Sequence, residues 1–203
     1  NDLAIGTMAD GTSYVAVLND EGISILYASG LELAKIPDAA GATALTAYGD
    51  SVIWSDNGSN GPKLGIFSVS SETRQDIFVN ASASDETESG LMDAEIFVDP
   101  VNGTITEISA DSTSIAAVVD VGQIRRVVLV DRVAGSSAII SEPAWDAWSP
   151  HLTGDRIVFT QITAFNPNDE DTNGDHNDVY LYDRVEKISL PLTSGSEAFH
   201  EDP

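Results

Sequence analysis

The sequence predicts an all-β fold, and three observations lead to that prediction. Helical periodicity is hardly sustained anywhere, whereas short runs rich in Val, Ile, Tyr and Thr recur between turns made of Gly, Asp, Asn and Ser. The 42% of residues that are hydrophobic fall into these patterned runs, which indicates a folded core despite a formal net charge of -24. The runs also repeat along the chain, and a repeat narrows the fold that they predict.

The repeat is a unit of four strands that occurs four times. A tight turn and an apolar strand lie at 9–20, 48–57, 110–119 and 153–161, and a second apolar strand follows at 22–29, 63–69, 125–133 and 178–185. A third, weaker strand comes next in each unit, and a short strand precedes each turn. The clearest match pairs VLVDRVAGSSAII with YLYDRVEKISLPL, which share an Asp-Arg-Val triplet at the same place.

Four-stranded antiparallel units at roughly 40-residue spacing are typical of β-propeller blades, because such a meander buries its apolar faces only against neighbouring meanders. We therefore predict one β-propeller-like domain over 1–203, with four recognisable blades and the start of another. The units lie at about 3–37, 42–79, 104–141 and 144–193, with an acidic, Ser-rich insertion at 80–103. SYVAVL and SIAAVV, in which small side chains alternate with β-branched ones, are predicted to be the innermost strands beside a crowded channel.

The last unit also resembles a known family. The stretch AWSPHLTGDRIVFTQ and the later NDVYLYDRVEKISLPLTSG resemble the repeats of TolB-type β-propellers. In those repeats a Ser-Pro or His-x-x-Pro turn precedes GDRIVF, and DVYLYD and a threonine-ended strand follow it. The glycine that this family places after the Asp-Arg segment is present as Gly135, but Glu186 and Lys187 replace it in the last unit. The tail SGSEAFHEDP reads as the opening of a fifth unit, so the chain is either a fragment of a larger propeller or a ring that this segment closes.

The charge and the composition exclude several kinds of partner and site. Nine Lys and Arg stand against 33 Asp and Glu, so no nucleic-acid partner is expected, because phosphate binding needs clustered basic residues. Self-repulsion of this size is best tolerated where salt or divalent cations screen it, which favours an extracellular, cell-surface or halophilic setting. Cysteine is absent, which excludes disulfides and thiolate sites, and no run approaches the ~18 apolar residues of a membrane span.

An acidic loop at 168–178, NDEDTNGDHND, is the candidate metal site. It makes the last unit ten residues longer than the preceding one between the apolar strand that follows the turn and the second apolar strand, and its carboxylates repel one another. Calcium would offset that repulsion, since it prefers oxygen ligands from Asp, Asn and backbone carbonyls. One possible ligand set is Asp169, Asp171 and Asn173. The favoured set is Asp171, Asn173 and Asp175, completed by Asp178 where the loop enters the next strand. The alternative to a calcium site is a solvated loop of ordinary turn residues. The candidate ligands are Asp169, Asp171, Asn173, Asp175 and Asp178.

Catalytic residues are not indicated by any motif. The three histidines are His151, His176 and His200, and neither a nucleophile elbow nor a paired-histidine zinc motif is present. An enzyme would require His151 and His200 at one channel mouth beside a carboxylate such as Glu201. Trp54, Trp145 and Trp148 are predicted to be core residues at blade junctions rather than a sugar-stacking surface.

The paired arginines Arg125 and Arg126 are predicted to form ion pairs at a strand edge rather than an anion site, because the protein is so acidic. Asp131–Arg132 and Asp183–Arg184 recur with the blade and are therefore predicted to be structural.

These features favour a non-catalytic extracellular or cell-surface β-propeller that acts as a calcium-stabilised binding and assembly scaffold. The expected partners are other surface proteins, glycans or copies of the chain itself, and a homo-oligomer would follow if the blade ring is incomplete and its edges are exposed. The alternative is an enzyme or a substrate-gating propeller, similar to polysaccharide lyases or associated with a peptidase. Propellers serve many functions, so the fold alone does not decide between the two.

Overall fold

A computed structural model describes residues 2–58, 61–81, 103–122, 124–163 and 176–193. These residues form four antiparallel sheets of four strands, and within each sheet the strands are ordered as they are in the chain. The predicted all-β fold of four-stranded blades is therefore confirmed. None of the helices in the described residues is long and apolar enough to cross a membrane.

The four sheets, numbered as blades one to four, follow one another along the chain. Blade one contains β1 (Asp2–Thr7), β2 (Ser13–Asn19), β3 (Gly22–Tyr27) and β4 (Glu32–Ile36). A short 3-10 helix at Pro37–Ala39 leads into blade two, which contains β5 (Leu45–Tyr48), β6 (Ser51–Asp56), β7 (Lys63–Ser68) and β8 (Thr73–Phe78). Blade three contains β9 (Thr104–Ala110), β10 (Ser114–Asp120), β11 (Arg125–Asp131) and β12 (Ser137–Ile139), and blade four contains β13 (Ala147–Thr153), β14 (Arg156–Thr163), β15 (His176–Asp183) and β16 (Ile188–Pro191).

Three apolar cores lie between successive blades. Alternate side chains of a strand point to opposite faces of its sheet, so one strand contributes to two cores. In β6, Trp54 packs toward blade one and Ile53 packs toward blade three. In β10, Ala117 packs toward blade two and Ala116 toward blade four, and the first six residues of this strand are all buried. The alternating apolar pattern thus holds the blades together as well as forming each sheet.

The leading strands, not the second ones, lie where the blades converge. The strands β1, β5, β9 and β13 contact one another in succession across the blades. The Leu45 amide donates to Asp2 Oδ2 at 3.1 Å, and the Ser149 amide donates to Glu107 Oε2 at 2.8 Å. The prediction that SYVAVL and SIAAVV are innermost is therefore wrong: they belong to β2 and β10, each paired with a strand on both sides. In β10 the small side chains reflect packing between two neighbouring blades.

The hairpin turns between the third and fourth strands each contain a residue in the left-handed region. Gly30, Glu72, Gly135 and Lys187 occupy this turn in blades one to four, and all four have positive φ angles, from 52° to 85°. The Gly135 amide donates to the Asp131 carbonyl at 2.9 Å, and the Lys187 amide makes the same bond to Asp183 at 2.8 Å. The missing glycine of the last unit therefore leaves the turn unchanged, with a non-glycine residue in the left-handed region at a modest cost in strain.

The described blades form an open series. Contacts between strands join blade one to blade two, blade two to blade three, and blade three to blade four, whereas the described residues give no extensive contact between blades one and four. Leu3 and Ile5 of β1 are consequently 59% and 65% exposed. An open series is consistent with the predicted fragment or incomplete ring, and the tail that is predicted to begin a fifth unit lies outside the described residues.

Candidate functional site

Most of the predicted calcium ligands lie outside the described residues. These are Asp169, Asp171, Asn173 and Asp175. Asp178 lies in β15, opposite Gln161 of β14, and its side chain is buried. Thr193 Oγ1 donates to Asp178 Oδ1 at 2.9 Å and accepts a hydrogen bond from the Val179 amide at 2.9 Å. Asp178 therefore ties the segment after β16 to β15 at the point where the acidic loop enters the sheet.

Of the three histidines, His151 is the one whose side chain lies within the described residues. His151 lies in β13 opposite Val158 and is exposed, while His200 and Glu201 lie outside the described ranges. In those ranges no group of three or more His, Asp or Glu side chains is arranged to hold a metal ion. The proposed convergence of His151 with His200 and Glu201 stays a prediction.

The tryptophans occupy different environments. Trp54 is fully buried between blades one and two, as the core interpretation predicts. Trp145 and Trp148 are half-buried, and the Arg125 guanidinium lies 4.6 Å from the centre of the Trp148 ring. Arg125 also pairs with Asp146 at 2.5 Å, which confirms the expected ion-pair role of this arginine. A face of the Trp148 ring is thus already occupied by a cation.

Arg126, next to Arg125, has a different role from the one expected. It is almost fully buried, and its Nη1 donates to the Ala81 carbonyl at 2.6 Å. Burial lowers the pKa of its guanidinium. Within the described residues its Nε atom has no hydrogen-bond acceptor, so the predicted strand-edge ion pair is not formed there. Arg126 instead packs beside the point at which the 80–103 insertion leaves blade two.

The aspartates of the two Asp-Arg-Val triplets fix their own turns. Asp131 Oδ1 accepts from the amides of Val133 and Ala134, both at 2.8 Å. Asp183 Oδ1 accepts from Val185 at 2.9 Å and from Glu186 at 3.1 Å. These bonds lower the pKa of both carboxyl groups, because the amides stabilise the charged form. The aspartates therefore act locally, as the repeat predicted.

The arginines of the same triplets reach across to the preceding blade. Arg132 donates to Ser51 Oγ in blade two at 2.7 Å. Arg184 donates to Asp111 Oδ2 at 2.7 Å and to Ser114 Oγ at 2.5 Å, both in blade three. Ser51 and Ser114 begin the second strand of their blades, so the two arginines make equivalent contacts. The structural interpretation of the triplets is confirmed, and it includes a cross-blade bond that the sequence did not predict.

Blades one and two are joined by a different side chain at the same place. Tyr14 of β2 pairs with Tyr27 at the position that Ser51 and Ser114 occupy in the next blades. Its hydroxyl donates toward the carbonyls of Gly49 and Ser51, each at 3.0 Å. Burial, with a contribution from the Asp50 charge, raises the pKa of Tyr14 to about 12. The hydroxyl therefore remains a donor across the neutral range.

The outward face of blade one consists of Leu3, Ile5, Val15, Val17 and Leu26. The strand registers place these residues on the side of the sheet that faces away from blade two. Leu3 and Ile5 are exposed and the other three are half-buried. At the positions of Val15 and Val17, the next three blades carry fully buried apolar residues packed against the preceding blade: Val52, Trp54, Ile115, Ala117, Ile157 and Phe159.

A small cavity lies between blades one and two where β6 ends. Its volume is about 130 Å³, and it is lined by the end of the 3-10 helix with the segment after it, and by the end of β6 with the two residues after it, from Trp54 to Gly58. Arg74 of β8 lies 5.1 Å from the centre of the Trp54 ring and pairs with Asp38 and with Asp76, the latter at 2.8 Å. Lys63 pairs with Asp56 at 2.9 Å. We refer to this space as the Trp54 cavity.

Sequence reasoning did not identify the Trp54 cavity. Asp38, Asp56 and Arg74 lie in separate elements, each in a stretch that resembles an ordinary polar turn or an edge strand. Their proximity depends on how blade one packs against blade two. The one available signal was Trp54 itself, a large aromatic residue at a strand position where the other units carry Val17, Ala117 and Phe159.

Comparison with solved structures identifies the architecture. The tricorn protease matches with a TM-score of 0.58 and 11% identity over 94% of this chain, and a puromycin hydrolase mutant matches with a TM-score of 0.57 and 14% identity over 100%. A protein assigned as TolB from Agrobacterium tumefaciens matches with a TM-score of 0.53 and 15% identity over 93%. The fold is a β-propeller.

The propeller relationship rests on structure alone. No protein-family model matches the chain, and no curated protein is significantly similar to it. The chain spans 16% of the tricorn protease, 29% of the puromycin hydrolase and 64% of the Agrobacterium protein. At these identities the likeness defines the propeller fold and leaves activity and partners to the chain's own residues.

Proposed function

We propose that this chain is a non-catalytic, extracellular or cell-surface β-propeller that acts as a binding and assembly scaffold stabilised by calcium. The outward face of blade one carries the proposal. The equivalent faces of blades two, three and four are each buried against the preceding blade. The exposed face of blade one is also apolar, so it is expected to be buried against another sheet. The cover that fits is another blade, and we assign it to a second copy of this chain, which provides such sheets.

The assembly role predicts self-association that depends on this face. The unmodified chain is expected to sediment as a dimer or larger species, and Val17→Asp to sediment as a monomer, because a buried carboxylate without a partner opposes association. Val133→Asp is the matched control, since Val133 is 87% exposed in a turn away from this face. Analytical ultracentrifugation over a concentration series measures both. A chain that stays monomeric at every concentration contradicts assembly through copies of itself.

The calcium role predicts a metal-dependent gain in stability. Calcium is expected to raise the melting temperature and a chelator to reverse the rise, because a ligand that binds only the folded state stabilises it by mass action. Asp171→Ala is expected to abolish this calcium-dependent rise in melting temperature. Asp178→Ala is expected to abolish it too, although this variant also loses the hydrogen bond from Thr193 and therefore starts from a lower melting temperature.

Asp10→Ala provides the control for simple loss of a negative charge. Asp10 lies in an exposed turn where its carboxylate accepts from the Thr12 amide at 2.8 Å, far along the chain from the acidic loop. In differential scanning calorimetry, calcium should raise the melting temperature of Asp10→Ala by as much as it raises that of the unmodified chain. An equal rise in Asp171→Ala and Asp10→Ala would show that calcium only screens the overall charge and that 168–178 is a solvated loop.

A further inference from the structure

Blade four has an exposed apolar face on the side that is turned away from blade three. Ile157 and Phe159 of β14 pack toward blade three, so the side chain of Val158 between them points the other way. Val158 is half-buried. The strand registers place further apolar residues on this side of the sheet: Val179, Leu181, Ile188 and Leu190. We refer to these residues, together with Leu192, as the outward face of blade four.

Leu192 shows that this face has lost a kind of burial that the other blades have. Its amide donates to the Val179 carbonyl at 2.7 Å, and the amide of Ile140 in blade three makes the same bond to β11 at 2.9 Å. Ile36 and Ile77 occupy the same position in blades one and two. These three isoleucines are 3 to 6% exposed because each packs between its own blade and the next, whereas Leu192 is 57% exposed.

The two end blades therefore carry the two halves of one kind of contact. Inside the chain, the face of each blade that is turned toward later blades packs on the face of the next blade that is turned toward earlier ones. Blade four exposes a face of the first kind, and the outward face of blade one is of the second kind. We propose that blade four of one copy packs on blade one of a second copy, so that the chains join head to tail. This inference rests on the proposed self-assembly and specifies which surface covers blade one.

The head-to-tail contact fits the chain better than a contact between two blade one faces. It repeats a packing that the chain already forms three times, whereas the symmetric alternative joins two faces of the same kind. It also covers both exposed end faces with one type of contact. Two copies of the four blades reach the upper end of the range of roughly 4 to 8 blades in propellers, so a ring can close without a different partner.

A basic residue on blade four favours the same arrangement. Arg156 is exposed and occupies the position of Tyr14, the first residue of the second strand. Tyr14 donates to the carbonyls of Gly49 and Ser51, at the turn before the second strand of the next blade. In the head-to-tail contact, Arg156 faces the corresponding turn of blade one, which carries the exposed Asp10. A guanidinium donates well both to carbonyls and to a carboxylate, so the charges of the two ends are complementary.

Variants of the two faces, studied alone and mixed, test the proposal on the whole chain. Val17→Asp alters the blade one face and Leu192→Asp alters the blade four face. Each is expected to be monomeric alone, because every head-to-tail contact needs both faces and a buried carboxylate without a partner opposes it. An equimolar mixture is expected to form a one-to-one dimer, since each variant supplies the face that the other lacks. Sedimentation velocity with a fluorescent label on one variant measures the mixed species.

The matched control for Leu192→Asp is Val185→Asp. Val185 is 69% exposed in the turn between β15 and β16, so this variant should associate as the unmodified chain does. Leu190→Asp repeats the test in case Leu192→Asp does not fold, as judged by circular dichroism. Leu190 lies in β16 on the same face and is 47% exposed, so the strand should tolerate the substitution in the single chain.

Two results would overturn the proposal while leaving self-assembly in place. One is that Leu192→Asp and Leu190→Asp associate as strongly as the unmodified chain while Val17→Asp does not, which would show that two blade one faces pair with each other. The other is that folded Val17→Asp and Leu192→Asp stay separate when they are mixed. An unmodified chain that is monomeric at every concentration contradicts the proposed assembly itself, and this inference with it.

Discussion

Replacing Arg184 with methionine is expected to lower the free energy of unfolding by about 2 to 4 kcal/mol, as breaking a largely buried ion pair does when one partner is left behind. The Arg184 side chain is 17% exposed and that of Asp111 is 14% exposed, so Asp111 would remain with little solvent to replace the guanidinium. The variant also loses the donor to Ser114, which joins blade four to blade three. Urea denaturation at neutral pH measures the change.

Arg156→Met is the matched control for Arg184→Met. Arg156 begins β14 in the same blade and is exposed, so its loss should change the free energy of unfolding by about 0.5 kcal/mol or less. A similar cost for both arginines would mean that the loss of charge, and not the contact between blades, is responsible.

The cost of Arg184→Met should also depend on pH. Burial raises the pKa of Asp111, but hydrogen bonds from Thr113 and Ser114 and the guanidinium of Arg184 outweigh burial, so the pKa lies below its ordinary value of 3.8. A lowered folded-state pKa adds stability above the unfolded pKa, and that stability is lost as the pH falls through the folded pKa. The difference between the two proteins should therefore shrink in acid below that ordinary value.

Gly65→Ala is the second substitution for which a large effect is expected. A Cβ atom at Gly65 would lie 2.2 Å from Cε2 and Cζ2 of Trp54, and the ring is fully buried with Arg74 over it. The methyl group forces the ring or the strand to move, and overpacking of this kind costs about 1 to 3 kcal/mol or more. Thermal and urea denaturation should both show the loss.

The indole is the cause of that cost, and a double variant can show it. In a Trp54→Leu background, Gly65→Ala is expected to cost far less, because the smaller side chain vacates the space above Gly65. Gly41→Ala provides the control, since no atom lies within 4 Å of a Cβ built at Gly41. If Gly65→Ala lowered the stability by the same amount in the Trp54→Leu background, the cause would be the change of residue within β7 and not contact with the Trp54 ring.

The fold was accessible from the sequence because its determinants are local and repeated. The β11 run RRVVLVD and the β15 run HNDVYLYD each end at an aspartate that fixes the next turn, so two blades could be aligned before any packing was known. The order of strands from the channel outward was harder to predict. The small residues of β10 fit a central strand that is buried on both faces. A strand that lines a crowded channel would have the same sequence pattern, so the pattern could not distinguish the two positions.

The contacts across blades could not be predicted in the same way. Arg132 and Ser51 are 81 positions apart, and Arg74 and Asp38 are 36 apart, and nothing near either pair signals the other. The Trp54 cavity depends on such distant partners. The acidic loop at 168–178 differs, because its carboxylates are close in sequence, and it stays a prediction for calcium to test.

The second blade is bound from both sides at a single turn. Tyr14 reaches the Gly49 and Ser51 carbonyls from one neighbour, and Arg132 reaches Ser51 Oγ from the other. In a linear array each unit depends on its nearest neighbours, so units at the ends open first. Hydrogen exchange under native conditions should therefore be slowest in β6 and its partners, which makes this interior turn the last part of the array to come apart.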